Sequence, residues 1–117
     1  MKALILGAAA HLDGHVKKFA EKLVLSGLDV LPIEYIDYDD AENFAESHKK
    51  RLNDIKSADI ILIFTHDGYV SKITALEVGY AISMGVPVFS SKKLDDPFFS
   101  KIIRHVGIEE ILVAETI

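Results

Sequence analysis

The sequence predicts an α/β protein: one doubly wound domain over residues 1–117, with a five-stranded parallel sheet of order 2-1-3-4-5 and helices on both faces. Three observations predict it. Strand-like apolar runs alternate with segments of helical periodicity along the chain, the pattern that lays crossover helices over a parallel sheet. One run, Ile60-Ile61-Leu62-Ile63-Phe64, is apolar at every position, as a central strand covered on both faces must be. Glycine then closes successive helical segments, at Gly27 and Gly85, where a left-handed residue ends a helix at least steric cost.

The elements follow in order. Residues 1–6 read as a short strand that runs into the small residues Gly7-Ala8-Ala9-Ala10. Val16, Phe19, Ala20, Leu23 and Val24 recur at spacings of three and four, which predicts a helix over 15–25 opened by Asp13 or Gly14. Residues 29–36 read as a strand made irregular by Pro32 and followed by an acidic turn at 37–40. A helix over 41–57 turns Phe44, Leu52 and Ile55 inward, and the third strand spans 58–65. A helix over 73–84, a strand over 87–90 and a helix over 97–106 come next. The last of these is capped by Asp95 or Asp96, with Pro97 in its first turn. Residues 110–114 read as the final strand. There is no repeat, linker or low-complexity stretch.

Composition removes several classes of function. Half the residues are hydrophobic and the formal net charge is −5, which argues against a nucleic-acid backbone as partner. The basic run Lys49-Lys50-Arg51 is short and flanked by acids, the mark of a solvated helix face. With no cysteine, disulfides, thiolate metal sites and cysteine nucleophiles are excluded. The five histidines show no ligand-like spacing, so no metal is expected. No apolar run reaches the ~18 residues of a membrane span, and no leader-like segment opens the chain. A soluble, cytoplasmic protein without membrane contact is expected.

In a sheet of this order the first and third strands are neighbours and the winding reverses between them. Ligands bind in the crevice at the carboxyl ends of such strands. The loops that face it are 7–14, 66–74 and 90–95. The first, Gly7-Ala8-Ala9-Ala10-His11-Leu12-Asp13-Gly14, is either a tight strand-to-helix connection or a small-residue cradle whose amide groups, with the helix dipole, receive an anion. It lacks the G-x-G-x-x-G spacing and is no Walker loop, so no dinucleotide or other cofactor is expected. His66 ends the third strand within reach of a ligand, and Asp67-Gly68 is also a good turn dipeptide. Ser71 and Thr74 either cap the following helix or direct hydroxyls at a phosphate or sugar, roles that share the positive helix end. No G-x-S-x-G elbow or Ser-His-Asp arrangement is present. Glu77 is the main candidate. It lies among Ala75, Leu76, Val78, Gly79 and Ala81, and a carboxylate in so apolar a helix near the crevice requires a function.

The segment Ser57-Ala58-Asp59-Ile60-Ile61-Leu62-Ile63-Phe64, followed by Asp67-Gly68, Ser71, Thr74, Glu77-Val78-Gly79-Tyr80-Ala81 and Gly85-Val86-Pro87-Val88, resembles the nucleoside 2-deoxyribosyltransferase superfamily, which includes nucleoside 5′-monophosphate N-glycosidases. That family has an Ala-Asp pair before the third strand, a small polar loop, an E-x-G-x-A segment and a G-K-P-V segment. Val86 stands here in place of the lysine. The resemblance covers roughly residues 51–90. It implies a flavodoxin-like, Rossmann-like fold, a homodimer or higher oligomer with sites near the subunit interface, and a nucleoside or nucleotide as the small-molecule substrate. It gives Glu77 the role of nucleophile at C1′ of the sugar. The 5′-monophosphate hydrolases carry serine six residues before that glutamate, where transferases carry aspartate. Ser71 therefore implies a 5′-phosphate held by Ser71, the first-loop backbone at Gly7, Ala8 and Ala9, and Ser90 or Ser91; Ser91 could also act across a dimer. His11, His66, Gly68, Tyr69 and Thr74 complete the expected binding set.

One departure stands out. Four residues before Ile55, where the family carries an aspartate that assists the leaving base or orients the nucleophile, this chain has Arg51. Asp54 falls about 300° further round the helix and does not substitute for it. Either Asp67 takes the acid role, or the domain binds nucleotides without turning them over. Loss of a general acid slows such a step by about 10²–10⁴-fold. A different α/β function, such as a phosphoribohydrolase-like enzyme outside the family or a protein-interaction domain, is the third alternative.

Overall fold

The sheet has the order β2-β1-β3-β4-β5, with every pair parallel, as the alternation of elements predicts. In the computed structural model, which describes residues 1–7, 14–32, 41–65 and 68–105, the elements are β1 (Lys2–Leu6), α1 (Gly14–Leu25), β2 (Asp29–Val30), α2 (Ala41–Ser57), β3 (Ile60–Ile63), α3 (Lys72–Ser83), β4 (Val88–Ser90), α4 (Pro97–Ile102) and β5 (Arg104–His105). β1 and β3 pair over four residues, from Ala3 with Ile60 to Leu6 with Ile63, and form the centre of the sheet.

Side chains of β1 and β3 alternate between two cores. Ala3, Ile5, Ile60 and Leu62 pack with Val16 and Leu23 of α1. Leu4, Leu6 and Ile61 pack with Ile55 of α2 and Ala81 of α3 on the other face. Ile63 continues that second face with Val78, Leu94 and Ile103. All four residues of β3 are buried, so its sequence shows no polar alternation. Because α1 covers one face and α2 and α3 the other, the winding reverses between β1 and β3. The crevice of a doubly wound sheet lies there.

Two predicted elements end differently. The helix expected over 97–106 stops at Ile102, and Arg104 and His105 pair with Phe89 and Ser90 as the edge strand. Ile103 takes an extended backbone (φ −108°, ψ 115°) and buries its side chain with Ile63, Val78 and Leu94. Burial of that isoleucine, worth about 1.5–3 kcal/mol, outweighs another turn of exposed helix. The strand expected over 29–36 ends at Val30. The Asp29 and Leu31 amides donate to the Met1 and Ala3 carbonyls, and the next donor in that alternation falls on residue 33, outside the described residues. Residues 33–36 of that expected strand, and the final strand expected over 110–114, lie outside the described residues.

The close approach of β1 and β3 depends on Gly7. The Phe64 amide donates to the Leu6 carbonyl at 2.8 Å, and a β-carbon at Gly7 would lie 2.6 Å from the Phe64 carbonyl oxygen. Both groups are backbone, so neither can swing aside. Gly79, within α3, has no heavy atom within 4 Å of such a carbon. Gly7→Ala is therefore expected to lower stability by about 1–3 kcal/mol, whereas Gly79→Ala raises it by about 0.4–1 kcal/mol through helix propensity. Urea midpoints of the two variants against wild type check the contrast.

Candidate active site

The site is built at the start of α3. Ser71 is its N-cap: the Ser71 hydroxyl accepts from the Thr74 amide at 3.1 Å and donates to the Thr74 hydroxyl at 3.0 Å. Thr74 is buried. The pair thus fixes the first turn. Glu77 follows one turn after Thr74, on the same face, and lies about 9 Å along the axis from the cap.

Burial along this helix runs against hydropathy. Glu77 is 2% exposed, while its neighbour Leu76 is 65% exposed. A buried carboxylate needs a partner, and α2 supplies one: the Arg51 guanidinium donates from Nη1 to Glu77 Oε2 at 3.5 Å. Of the two side chains the guanidinium is the more open, 13% exposed against 3%. The contact is long, and desolvation prevails. Burial pushes the Glu77 carboxyl above its ordinary value of 4.5, while the charge of Arg51 pulls against that rise. Beside the pair, His48, Leu52, Ala75, Leu76, Gly79, Tyr80 and Ser83 line a groove between α2 and α3. His48 stacks on Phe44 with ring centroids 5.6 Å apart, and its Nε2 is buried without a hydrogen-bond partner.

The loops at the ends of β3 and β4 are tied to each other. The Thr65 hydroxyl donates to the Tyr69 carbonyl and accepts from the Gly68 amide. The Thr65 amide donates to the Ser91 hydroxyl at 3.3 Å, and the Ser91 amide donates to the Ile63 carbonyl. Gly68, with φ +88°, leaves no room for a side chain: a β-carbon there would meet Asp95 Oδ1 at 2.7 Å and the Lys93 carbonyl at 2.8 Å. The Asp95 amide in turn donates to the Gly68 carbonyl. Ser90 is buried and donates to the Lys92 carbonyl. Tyr69 stands 65% exposed at the rim.

Among the residues singled out from sequence, Gly7, Gly68, Tyr69, Ser90 and Ser91 thus occupy the ends of β1, β3 and β4, and Ser71, Thr74 and Glu77 share the first two turns of α3. Ala8, Ala9, His11, His66 and Asp67 lie outside the described residues. Two residues escaped the sequence reading. Arg51 was visible as a departure from a pattern but not as the partner of Glu77. The signal was there, since it lies one turn before the inward Ile55 and so on the same helix face. Thr65 gave none, because a threonine that ends a strand is ordinary. Among the described residues no group of three histidines or carboxylates could hold a metal ion, and no helix is long and apolar enough to cross a membrane.

No protein-family model and no curated protein sequence matches the chain. Solved structures do. The chain superposes on the 2-deoxyribosyltransferase of Bacillus psychrosaccharolyticus with a TM-score of 0.66 at 21% identity, covering 95% of this chain and 90% of that one. It superposes on the CMP N-glycosidase of Clostridium botulinum with a TM-score of 0.64 at 15% identity, over 97% of this chain and 99% of that one. A deoxyribosyltransferase of Leishmania mexicana gives 0.55 at 21% identity, over 86% and 69%. At such identities the likeness is one of fold: this chain has the α/β fold of those proteins, the fold that the resemblance in its sequence implies.

The raised carboxyl gives a pH signature with a defined sign. A carboxyl whose folded-state pKa exceeds its unfolded value holds its proton more tightly when folded. Stability then falls as pH rises from the unfolded value to the folded one, and is flat outside that window. Relative to Glu77→Gln, wild type is expected to lose stability as pH rises above 4.5 and to level off once Glu77 is ionised. Urea denaturation of both proteins from about pH 4 to about pH 8 checks this; a difference that instead grew in favour of wild type would mean that Arg51 outweighs burial.

Proposed function

We propose that this domain cleaves or transfers the N-glycosidic bond of a nucleoside or nucleoside 5′-monophosphate, with Glu77 as nucleophile. The observation that carries the reading is the buried carboxylate of Glu77 in the helix that leaves β3, beside the point where the sheet reverses its winding. The motif resemblance and the shared fold with a 2-deoxyribosyltransferase and a CMP N-glycosidase support it. In the first half-reaction a Glu77 oxygen bonds to C1′ as the C1′–N bond breaks. The electron pair leaves on the base nitrogen, and Asp67 supplies the proton that the departing base takes up. In the second half, water (hydrolysis) or another base (transfer) attacks C1′, gives up a proton to Asp67, and restores the carboxylate. A carboxylate beside an oxocarbenium-like centre lowers the barrier, and covalent capture splits one difficult step into two.

The first-loop backbone at Gly7, Ala8 and Ala9, together with Ser71, Thr74, Ser90 and Ser91, holds the phosphate and sugar. His11, His66, Gly68 and Tyr69 complete the binding set. Chain 1–117 is a single domain of this kind, and its composition fits a cytoplasmic protein without metal or cofactor. A second reading, nucleotide binding without turnover, is favoured by one observation: the group beside Glu77 is a guanidinium, which cannot give up a proton in this pH range.

Incubation with a panel of nucleosides and 5′-monophosphates, with and without an acceptor base, separates the two. Chromatography is expected to show free base. Glu77→Ala should reduce its release by about 10³-fold or more while thermal stabilisation by the nucleotide persists. Stabilisation without release in wild type would establish the second reading, and full turnover by Glu77→Ala would end the nucleophile assignment.

The exposed face of α3 supports the expected homo-oligomer. Leu76 and Ile82 on α3 and Met84 at its C-cap are 65%, 48% and 43% exposed, large apolar side chains that a second copy would cover. Wild type is expected to sediment as a dimer or larger species and Leu76→Glu as a monomer; a monomeric wild type at high concentration would remove this part of the reading.

A further inference from the structure

Two hydroxyls joined by one hydrogen bond have a proton to spare, since each carries one donor. At the start of α3 the Ser71 hydroxyl donates to Thr74 Oγ1 at 3.0 Å, so the spare proton is the one on Thr74. Among the described residues the Thr74 side chain bonds to Ser71 alone, and its own proton meets no acceptor. Thr74 is 3% exposed. A buried donor without an acceptor is costly, and a folded protein that keeps one calls for an explanation.

Position supplies one. Thr74 stands one turn before Glu77 on the same face of α3, a spacing that sets Cβ atoms about 5–6 Å apart. Glu77 is 2% exposed, so the spare donor and the carboxylate face the same enclosed space. The carboxylate takes its hydrogen bond from Arg51, and none joins it to Thr74. A group that fits between the two must accept from the threonine and donate to the carboxylate. A hydroxyl does both, whereas an ether or carbonyl oxygen only accepts and an ammonium only donates. We infer that Thr74 reads the 2′-hydroxyl of the sugar, which makes the substrate a ribonucleoside or its 5′-monophosphate. The inference rests on the reading of Glu77 as nucleophile: with C1′ held against Glu77, the neighbouring carbon C2′ is the one whose hydroxyl falls beside the nucleophile.

The hydrogen bonds then run in one direction. Ser71 donates to Thr74, Thr74 to the 2′-oxygen, and the 2′-hydroxyl to the carboxylate. Each bond polarises the next, and no proton changes owner. Thr74 is suited to this place because branching at Cβ restricts its χ1 rotamers in a helix and Ser71 fixes the oxygen. A 2′-deoxy sugar presents C–H at the same point. It leaves the threonine donor unpaired and takes one donor from the carboxylate. Sites discriminate most strongly in this way, by polar groups left unsatisfied.

The test uses the ribo, 2′-deoxy and 3′-deoxy forms of whichever common nucleoside 5′-monophosphate wild type binds most tightly. Wild type is expected to favour the ribo over the 2′-deoxy form by about 10- to 10²-fold in kcat/KM. Thr74→Val, which has the same shape without the hydroxyl, should bring that ratio close to unity by loss on the ribo side. Thr74→Ser keeps the hydroxyl and should keep most of the preference. The ratio of ribo to 3′-deoxy form should be the same in wild type and Thr74→Val. A threonine that served only to hold the helix would lower all forms together and leave every ratio in place. Dissociation constants from calorimetry carry the same comparison without turnover. Wild type that releases no base ends the nucleophile reading, and the ribo to 2′-deoxy ratio of dissociation constants, lost or kept in Thr74→Val, then decides the role of Thr74. Wild type that releases base without preferring the ribo form, or whose preference survives in Thr74→Val, overturns the role of Thr74 alone. Wild type that binds no nucleotide overturns both.

Discussion

Covering both faces of the β1–β3 pair governs the rest of the molecule. Two strands whose side chains are apolar above and below must be buried on both sides. Among the described residues α1 covers one side and α2 and α3 the other. That division reverses the winding and opens a crevice at the strand ends. It also brings α2 and α3 side by side, so that a side chain from one can reach the other. The contact between Arg51 and Glu77 therefore follows from how the core is closed.

α3 shows what such an arrangement costs. A helix placed for stability alone would turn Leu76 inward and Glu77 to water; this one does the reverse. Burial drives the carboxyl towards its protonated form, and a single cation at 3.5 Å opposes it. The protein thus keeps a group whose charge is sensitive to its surroundings inside a helix that is otherwise well anchored by the Ser71 cap and by Val78 and Ala81 in the core. Conflict between local hydropathy and observed burial is the expected trace of a functional site.

Much of this was legible in the sequence, because its signals are periodic or chemical. The run from Ile60 to Phe64 read as a strand with two covered faces, and the alternation around it fitted a doubly wound sheet of order 2-1-3-4-5. For Ser71, ahead of an apolar helix, the sequence offered a cap or a phosphate or sugar ligand, and the structure shows the cap. What stayed hidden depends on distance between segments. Nothing in residues 97–106 marks the point where burial of Ile103 beneath the sheet becomes better than one more helical turn, so the helix was expected to run on. The pairing of Arg51 with Glu77 joins residues that are remote in sequence, and helix periodicity places each on an inward face without saying that the faces meet. Thr65 organises a loop through its hydroxyl, a task with no mark in the sequence, since a threonine that ends a strand is ordinary.

The hydrogen bonds around Thr65 have a further consequence. Through Gly68, Tyr69, Ser91 and Asp95 the lip after β3 is laced to the lip after β4, and the left-handed Gly68 is wedged against Lys93 and Asp95. Thr65, Gly68, Tyr69, Ser91 and Asp95 therefore hold one another in place, and a substitution at any one of them is felt at the ends of both β3 and β4.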